Sequence, residues 1–323
     1  MTVSATELEA FGRNFETITA NIERVIQGKR QTVERLVMCL LSGGHALIED
    51  VPGVGKTLLA KSMARSIDCS FQRIQFTPDL LPSDITGVSV WDRDASTFTF
   101  RPGPVFANVV LGDEINRASP KTQSALLEAM EEHHVTVDAT THTLAEPFIV
   151  VATQNPIEHE GTYPLPEAQL DRFMMRLSMG YPSREKELQM LDTHADGSTY
   201  DDIKPVLHAQ DVLEMAAIVR RIHVSDEVRS YIVDIADATR GHHELLLGAS
   251  PRAGLNLQRA GRTRAAVAGR DFVAPDDIKS VAPAVLNHRL ILQPEAHMRG
   301  LAVQEVVDSI LNSTPVPGMR AKV

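Results

Sequence analysis

The sequence is poor in cysteine, has no long apolar run, and carries no excess of positive charge. Only two cysteines, Cys39 and Cys69, stand in 323 residues. They form no C-x-x-C pair, which excludes a disulfide framework and a thiolate metal site and predicts a reduced, cytoplasmic setting. Cys39 falls in an apolar helical pattern and Cys69 just before a strand-like run, positions for packing rather than reactivity. No apolar stretch approaches the roughly 18 residues of a membrane-spanning helix, so no membrane insertion is expected. The first residues are polar and acidic, without the basic flank and apolar core of an export signal. Lys and Arg number 32 against 42 Asp and Glu, a net charge of -10. That balance argues against broad binding to DNA or anionic membrane and leaves room for a local basic surface. There is no tandem repeat or low-complexity tract. His133-His134, His242-His243 and Glu158-His159-Glu160 offer no third ligand at a useful spacing, so none is expected to hold a metal.

What is present is an ordinary globular composition, 43% hydrophobic and 23% charged, in a length that suggests about two domains. The stretch Leu47 to Ala60 stands out. A short apolar run, His45 to Ile48, reads as a buried strand; Pro52-Gly53-Val54-Gly55 breaks it; Thr57 onward reads as a helix. Strand, glycine-rich turn and a helix opening with Lys-Thr make a phosphate cradle. Gly53 and Gly55 let successive N–H groups point inward, and the helix N-terminus adds partial positive charge. Lys56 supplies a full charge for the phosphates and Thr57 a hydroxyl for Mg²⁺. Pro52, Val54 and Leu58 complete the candidate nucleotide contacts. The full pattern G-x-x-x-x-G-K-[ST] has glycine where this chain has Asp50. The phosphate-holding amides lie later, from about Gly53 to Thr57, so the cradle is expected to survive. A chance Gly-Lys-Thr is the plainer alternative; the strand and helix around it favour the cradle.

A second apolar run, Val109-Val-Leu111, carries Asp113-Glu114 at its C-terminal end, where ligands bind in open α/β sheets. Asp113 is the candidate partner of Thr57 for Mg²⁺. Glu114 is the candidate general base for the attacking water. A solvated strand end is the alternative. A third run, Phe148 to Thr153, delivers Asn155 to the same edge, to orient water or to act only as a turn residue before proline.

In chain order, amphipathic helices are expected over about 4–22 and 30–41, strands at 71–77, 109–111 and 148–153, and a short helix at 167 running into a last strand. Two hairpins, Val88–Arg101 and Val135–Leu144, interrupt the α/β pattern, within insertions near 79–106 and 134–145. Ser119-Pro120 and Ser250-Pro251 each start a helix. From Ser183 the composition turns helical, with helices over about 183–194, 211–221, 225–239 and 251–268 and a final one carrying Val303, Val306, Val307, Ile310 and Leu311. The expected organisation is an α/β domain over 1–182, then a linker and all-helical domain over 183–323.

Gly53-Val-Gly-Lys-Thr57, Leu111-Gly-Asp-Glu-Ile-Asn-Arg117, Ala152-Thr-Gln-Asn155, Leu170-Asp-Arg-Phe173 and Ser250-Pro-Arg252 occur in the order of an AAA+ ATPase. The strings Asp113 to Met130, Ala152 to Phe173 and Val285 to Leu292 resemble the MoxR branch, and the resemblance covers nearly the whole chain. It implies a P-loop core with a five-stranded parallel sheet of order 5-1-4-3-2, a helix-2 insert, a hairpin before the sensor strand and a C-terminal helical lid. It also implies ATP and Mg²⁺ as ligands, a homo-oligomer in the form of a hexameric ring, and a partner with a von Willebrand factor A domain that is remodelled, matured or supplied with metal. By position, Asn155 corresponds to sensor 1, Arg172 to the arginine finger and Arg252 to sensor 2. The segment holding Ile26 and Gly28 corresponds to the one covering adenine. A planar guanidinium suits the charge of a phosphoryl transition state; the alternatives are pairing of Arg172 with Asp171 and a solvated Arg252. A metal-chelatase-type ATPase subunit and a DNA-associated AAA+ motor are the competing functions. Nucleic acid is disfavoured by the acidic balance, with Arg252, Arg259, Arg262, Arg264 and Arg270 expected to face nucleotide, subunit interface and solvent. The absence of N-K-x-D favours ATP over GTP.

Overall fold

The computed structural model describes residues 3–94, 96–155, 161–182, 184–185, 187–188 and 203–317. Two helices come first, α1 Ala5–Glu23 and α2 Arg30–Leu41. Ser4 starts α1 as half of a capping box with Glu7, which satisfies amide groups that have no partner inside the helix. Strand β1 (Ala46–Glu49) leads through the glycine turn into α3 (Lys56–Ser66), then β2 (Phe71–Gln75) and a short α4 (Pro82–Thr86). The hairpin β3 (Gly87–Asp92) and β4 (Thr97–Pro102) precedes β5 (Val109–Asp113) and α5 (Pro120–Glu132). A second hairpin, β6 (His134–Val137) and β7 (Thr140–Thr143), is followed by β8 (Ile149–Gln154), α6 (Glu167–Leu170) and β9 (Met175–Leu177).

The five core strands form one parallel sheet in the order β2-β5-β8-β1-β9. Counting only these five, this is the implied order 5-1-4-3-2 read from the opposite side. The alternation of β1, β5 and β8 explains why each reads as an unbroken apolar run. Ala46, Ile48, Val109, Leu111, Ile149 and Val151 enter one core; Leu47, Val110, Val150 and Ala152 enter the other. A parallel sheet is covered on both faces, so both side-chain sets must be apolar.

The C-terminal helices are α7 (Ala209–Arg221), α8 (Asp226–Arg240), α9 (Pro251–Val267), α10 (Pro275–Leu286), α11 (Pro294–Met298) and α12 (Val303–Ser313). They do not make a separate core. Val212, Val219, Tyr231, Leu257 and Val285 are in one continuous cluster with Phe11, Phe15, Leu36 and Met63. The lid therefore packs on the N-terminal helices behind the sheet. It also holds a short antiparallel pair, β10 (Leu245–Leu247) with β11 (Ile291–Leu292), which the all-helical expectation lacked. The helix expected over 183–194 lies mostly outside the described residues.

Candidate nucleotide site

Parallel register brings the three motif-bearing strands to one edge of the sheet. Ile48 lies beside Thr153 and Glu49 beside Gln154, while Gly112 lies beside Ala152. The turn after β1, Asp113-Glu114 after β5 and Asn155 after β8 therefore share the C-terminal edge. Gly53 and Gly55 adopt φ of 81° and 91°, left-handed values that an L side chain would strain. No side chain caps α3 at Gly55, so its first amides face the turn, as phosphate binding requires. Lys56 Nζ donates to the Asp50 carbonyl at 2.8 Å.

Asp50, where the motif has glycine, is a strap. Its carboxylate accepts from the Ser178 hydroxyl at 2.9 Å and from the amides of Met179 at 2.7 Å, Gly180 at 2.6 Å and Val51 at 2.9 Å. Burial opposes its ionisation, but these bonds outweigh it and hold the carboxyl below its usual range. The strap ties the turn to the segment after β9. Together they line a cavity of about 620 Å³ with Val25, Ile26, Pro52, Val54, Leu58, Met179 and Tyr181. Gly28 follows the lining residue Gln27 in a turn at φ 71°. The cavity has the size and apolar walls for a nucleoside.

Asp113 is buried. It accepts from Thr153 Oγ1 at 2.6 Å and from Arg73 Nη2 at 2.6 Å and Nε at 3.0 Å. Glu114 sits at φ 57°, ψ 50°, a left-handed conformation costing about 1–3 kcal/mol for such a residue. Thr153 Oγ1 secures it by accepting the Glu114 amide at 2.9 Å. The Glu114 carboxylate accepts from Gln75 Nε2 at 2.9 Å and Arg117 Nη1 at 3.1 Å. Asn155 is buried at the same edge. The Thr57 hydroxyl and Asp113 carboxylate are hard oxygen donors of the type that Mg²⁺ takes. Among the described residues no group of three or more His, Cys, Asp and Glu forms a metal cage.

Comparison with known proteins agrees with this geometry. The model for the ATPase family associated with various cellular activities (AAA) matches residues 45–175, and the AAA lid domain matches 237–310. The chain is 42% identical to Chaperone MoxR1 of Mycobacterium tuberculosis, across 97% of this chain and 85% of that one. It is 49% identical to the uncharacterized protein YeaC of Bacillus subtilis, across 94% and 95%. The crystal structure of a candidate ATPase from Cytophaga hutchinsonii matches with a TM-score of 0.90 at 39% identity, covering 96% of this chain and 97% of that one. The chain belongs to the MoxR family of AAA+ ATPases. It is therefore a nucleotide-binding ATPase.

The two remaining candidate residues of this ATPase lie elsewhere. Arg172 precedes β9, whose Met175 aligns with Ala46 at the start of β1. It is thus at the N-terminal edge of the sheet, a strand length from the glycine turn. It does not pair with Asp171. That carboxylate accepts from Arg289 Nε at 2.7 Å and from Ser250 Oγ at 2.9 Å. Arg289 is 1% exposed at its side chain and also donates to the carbonyls of Asp171, Phe173, Met174 and Val285. Burial pulls its guanidinium below its ordinary range, and Asp171 acts against that. Ser250 caps α9, and Arg252 in its first turn donates to Glu131 at 2.8 Å, at the far end of α5. So the Asp171 carboxylate, adjacent to Arg172 in the chain, ties that segment to Arg289 and to the Ser250 cap of the Arg252 helix, at the edge away from the cavity. Arg252 is neither free in solvent nor a lining residue of this protomer's nucleotide cavity. Sequence reading missed Asp50 as a strap, Arg73 and Arg289. Register between β2 and β5, which puts Gln75 beside Asp113, is the signal that finds Arg73.

Proposed function

We propose that this MoxR-family ATPase works as a cytoplasmic homo-oligomeric ring, hexameric by family likeness, that remodels a partner carrying a von Willebrand factor A domain. The observation that carries this reading is the split of its candidate catalytic residues between opposite edges of one sheet. A single protomer offers the loop and Glu114 at one edge, and Arg172 with Arg252 at the other. A head-to-tail ring brings the two edges together at every interface.

In this account the amides from Gly53 to Thr57 and the Lys56 ammonium hold the triphosphate, and Ile26 and Gly28 lie over the adenine. Mg²⁺, held by Thr57 and Asp113, would neutralise phosphate charge. Glu114 takes a proton from the attacking water, and Asn155 orients that water. Arg172 and Arg252 of the adjoining copy stabilise charge on the transferring phosphoryl group. Because Asp171 joins the Arg172 segment to the cap of the Arg252 helix, turnover in one subunit would be felt by the lid of the next. The partner surface includes the β3–β4 hairpin, where Trp91 and Phe98 are half or more exposed and meet edge to face at 5.1 Å. The name Chaperone MoxR1 carried by a relative supports the remodelling role.

The test is a trap. Glu114→Gln should bind ATP with near-native affinity and turn it over at least about 10²-fold more slowly. Held in ATP, it should retain the partner through affinity purification from the native host. Native turnover in this variant would remove Glu114 as the base. Retention of no protein with such a domain would count against the partner assignment.

A further inference from the structure

A second cavity, of about 440 Å³, lies where α2, the sheet and the lid meet. Ser42 lines it from the end of α2, His133 and Phe148 from the core, and Val219 from α7. Ser42 also bonds Thr263 of α9 at 2.6 Å, so the junction is closed at that point. Three guanidiniums, Arg220, Arg259 and Arg262, line the same cavity. Among the described residues none of their side chains has an acidic partner within ion-pair distance. Glu146 is the one carboxylate in the lining. The Nε of Arg262 and the Nδ1 of His133 are buried without a hydrogen-bond partner among the described residues. Burial, then the charges of Arg229 and Arg259, hold Arg262 below its ordinary range.

Arg220 and Arg259 are exposed at the rim, but the Arg262 Nε is buried, and proteins rarely leave a buried charged donor unanswered, because its desolvation is then uncompensated. Water can accept from a lone N–H, but it does not offset repulsion between guanidiniums. An anion does both. Arginine forks match the oxygens of a phosphate in paired hydrogen bonds. The apolar wall of Phe148 and Val219 gives such a ligand a place for a carbon body.

We propose that this cavity is a binding site for a small phosphate monoester, separate from the nucleotide site. A ligand there touches the lid through Arg259 and Arg262 and the core beside His133, so its occupancy ties lid to core. The inference does not rest on the remodelling role or on the ring.

The test uses the full chain saturated with ADP and Mg²⁺, so that the phosphate loop is filled, and phenyl phosphate as the probe in titration calorimetry. One site per chain is expected. Inorganic phosphate should bind more weakly and benzyl alcohol not at all. Arg262→Gln and Arg259→Gln should each weaken phenyl phosphate at least tenfold, with ADP affinity unchanged within twofold. If Arg262→Gln fails to fold, Arg220→Gln at the exposed rim takes its place with the same expected loss. No binding to the native protein, or equal affinity in native and variants, would overturn the assignment.

Discussion

At the phosphate edge, the residues from Gly53 to Leu58 are neighbours in the chain and meet a pocket wall through one short strap. At the arginine edge, Asp171 is met by Ser250, 79 residues on, and by Arg289, 118 residues on. The first edge is a local device: a turn and a helix end that form wherever the chain folds. The second exists only when the lid is docked. The proposed account therefore expects nucleotide to be held without the lid in place, and the arginine edge to be set only with it. The two edges also differ in what they bury. The phosphate edge relies on the Asp50 carboxylate, held below its usual range by its hydrogen bonds. The arginine edge keeps two neutral histidines inside, His45 and His288.

The largest expected effect separates the edges outright. Asp171→Asn removes the charge that faces the buried Arg289 and loosens both Arg172 and the Arg252 helix. ATP turnover should fall by about 10²-fold, the scale of a misplaced catalytic group. ADP affinity should stay within twofold, and Asp171→Glu should recover part of the loss. Equal loss of ADP affinity would mean that the edges are not independent.

Acid should also act on the arginine edge first. His45 donates from Nε2 to the Met130 carbonyl and accepts the Val150 amide at Nδ1, both at 2.9 Å. Burial lowers its pKa from 6.5 to about 4. His288, buried and beside Arg289, is likewise lowered well below 6.5. The unfolded chain thus binds more protons between those values, so stability is full above about pH 6.5 and falls as pH drops toward about 4. For His45 alone the loss is on the order of 3 kcal/mol. Asp50 has the same sign in a lower window, through bonds to its carboxylate rather than burial: its contribution is present above the ordinary carboxylate range and is lost at lower pH. Urea midpoints at pH 7, 5.5 and 4.5 should decline, and His45→Gln should flatten the decline. A flat profile in the native protein would show that these histidines titrate normally.

A smaller effect sharpens the phosphate edge. Asp50→Gly restores the motif's own glycine and cuts the strap to Ser178, Met179 and Gly180. ATP should bind about fivefold to tenfold more weakly, a loss of roughly 1–1.5 kcal/mol. Direct binding of a fluorescent ATP analogue measures it. Tighter binding would make Asp50 a mere departure from the pattern.

These contrasts also explain what was legible beforehand. The five core strands, both hairpins and the Ser119 and Ser250 caps follow from short apolar runs, local alternation and helix-start chemistry, and all are present. Glu114 and Lys56 are singled out by contiguous motifs, and both motifs end at the C-terminal edge of the sheet. In sequence Asp50 shows only as a missing glycine, since three of its four partners lie beyond β9. Arg289 gave no local sign at all: its meaning comes from Asp171, far back in the chain. Helix α10 was passed over because Pro283 lies inside it, and proline ordinarily breaks a helical pattern. The five lid arginines expected to face nucleotide, interface and solvent are dispersed. Arg270 pairs with Asp277, Arg252 with Glu131, and Arg259 and Arg262 line the second cavity.

The most direct measurement mixes two dead subunits. In the proposed ring Lys56→Ala would lack the phosphate grip and Arg172→Ala the arginine proposed to reach a neighbour. Each alone should be inactive. Combined in equal amounts, random assembly completes about a quarter of the interfaces, and ATP hydrolysis should return accordingly. No return at any ratio, with both variants folded and co-assembled, would contradict an active site shared between subunits.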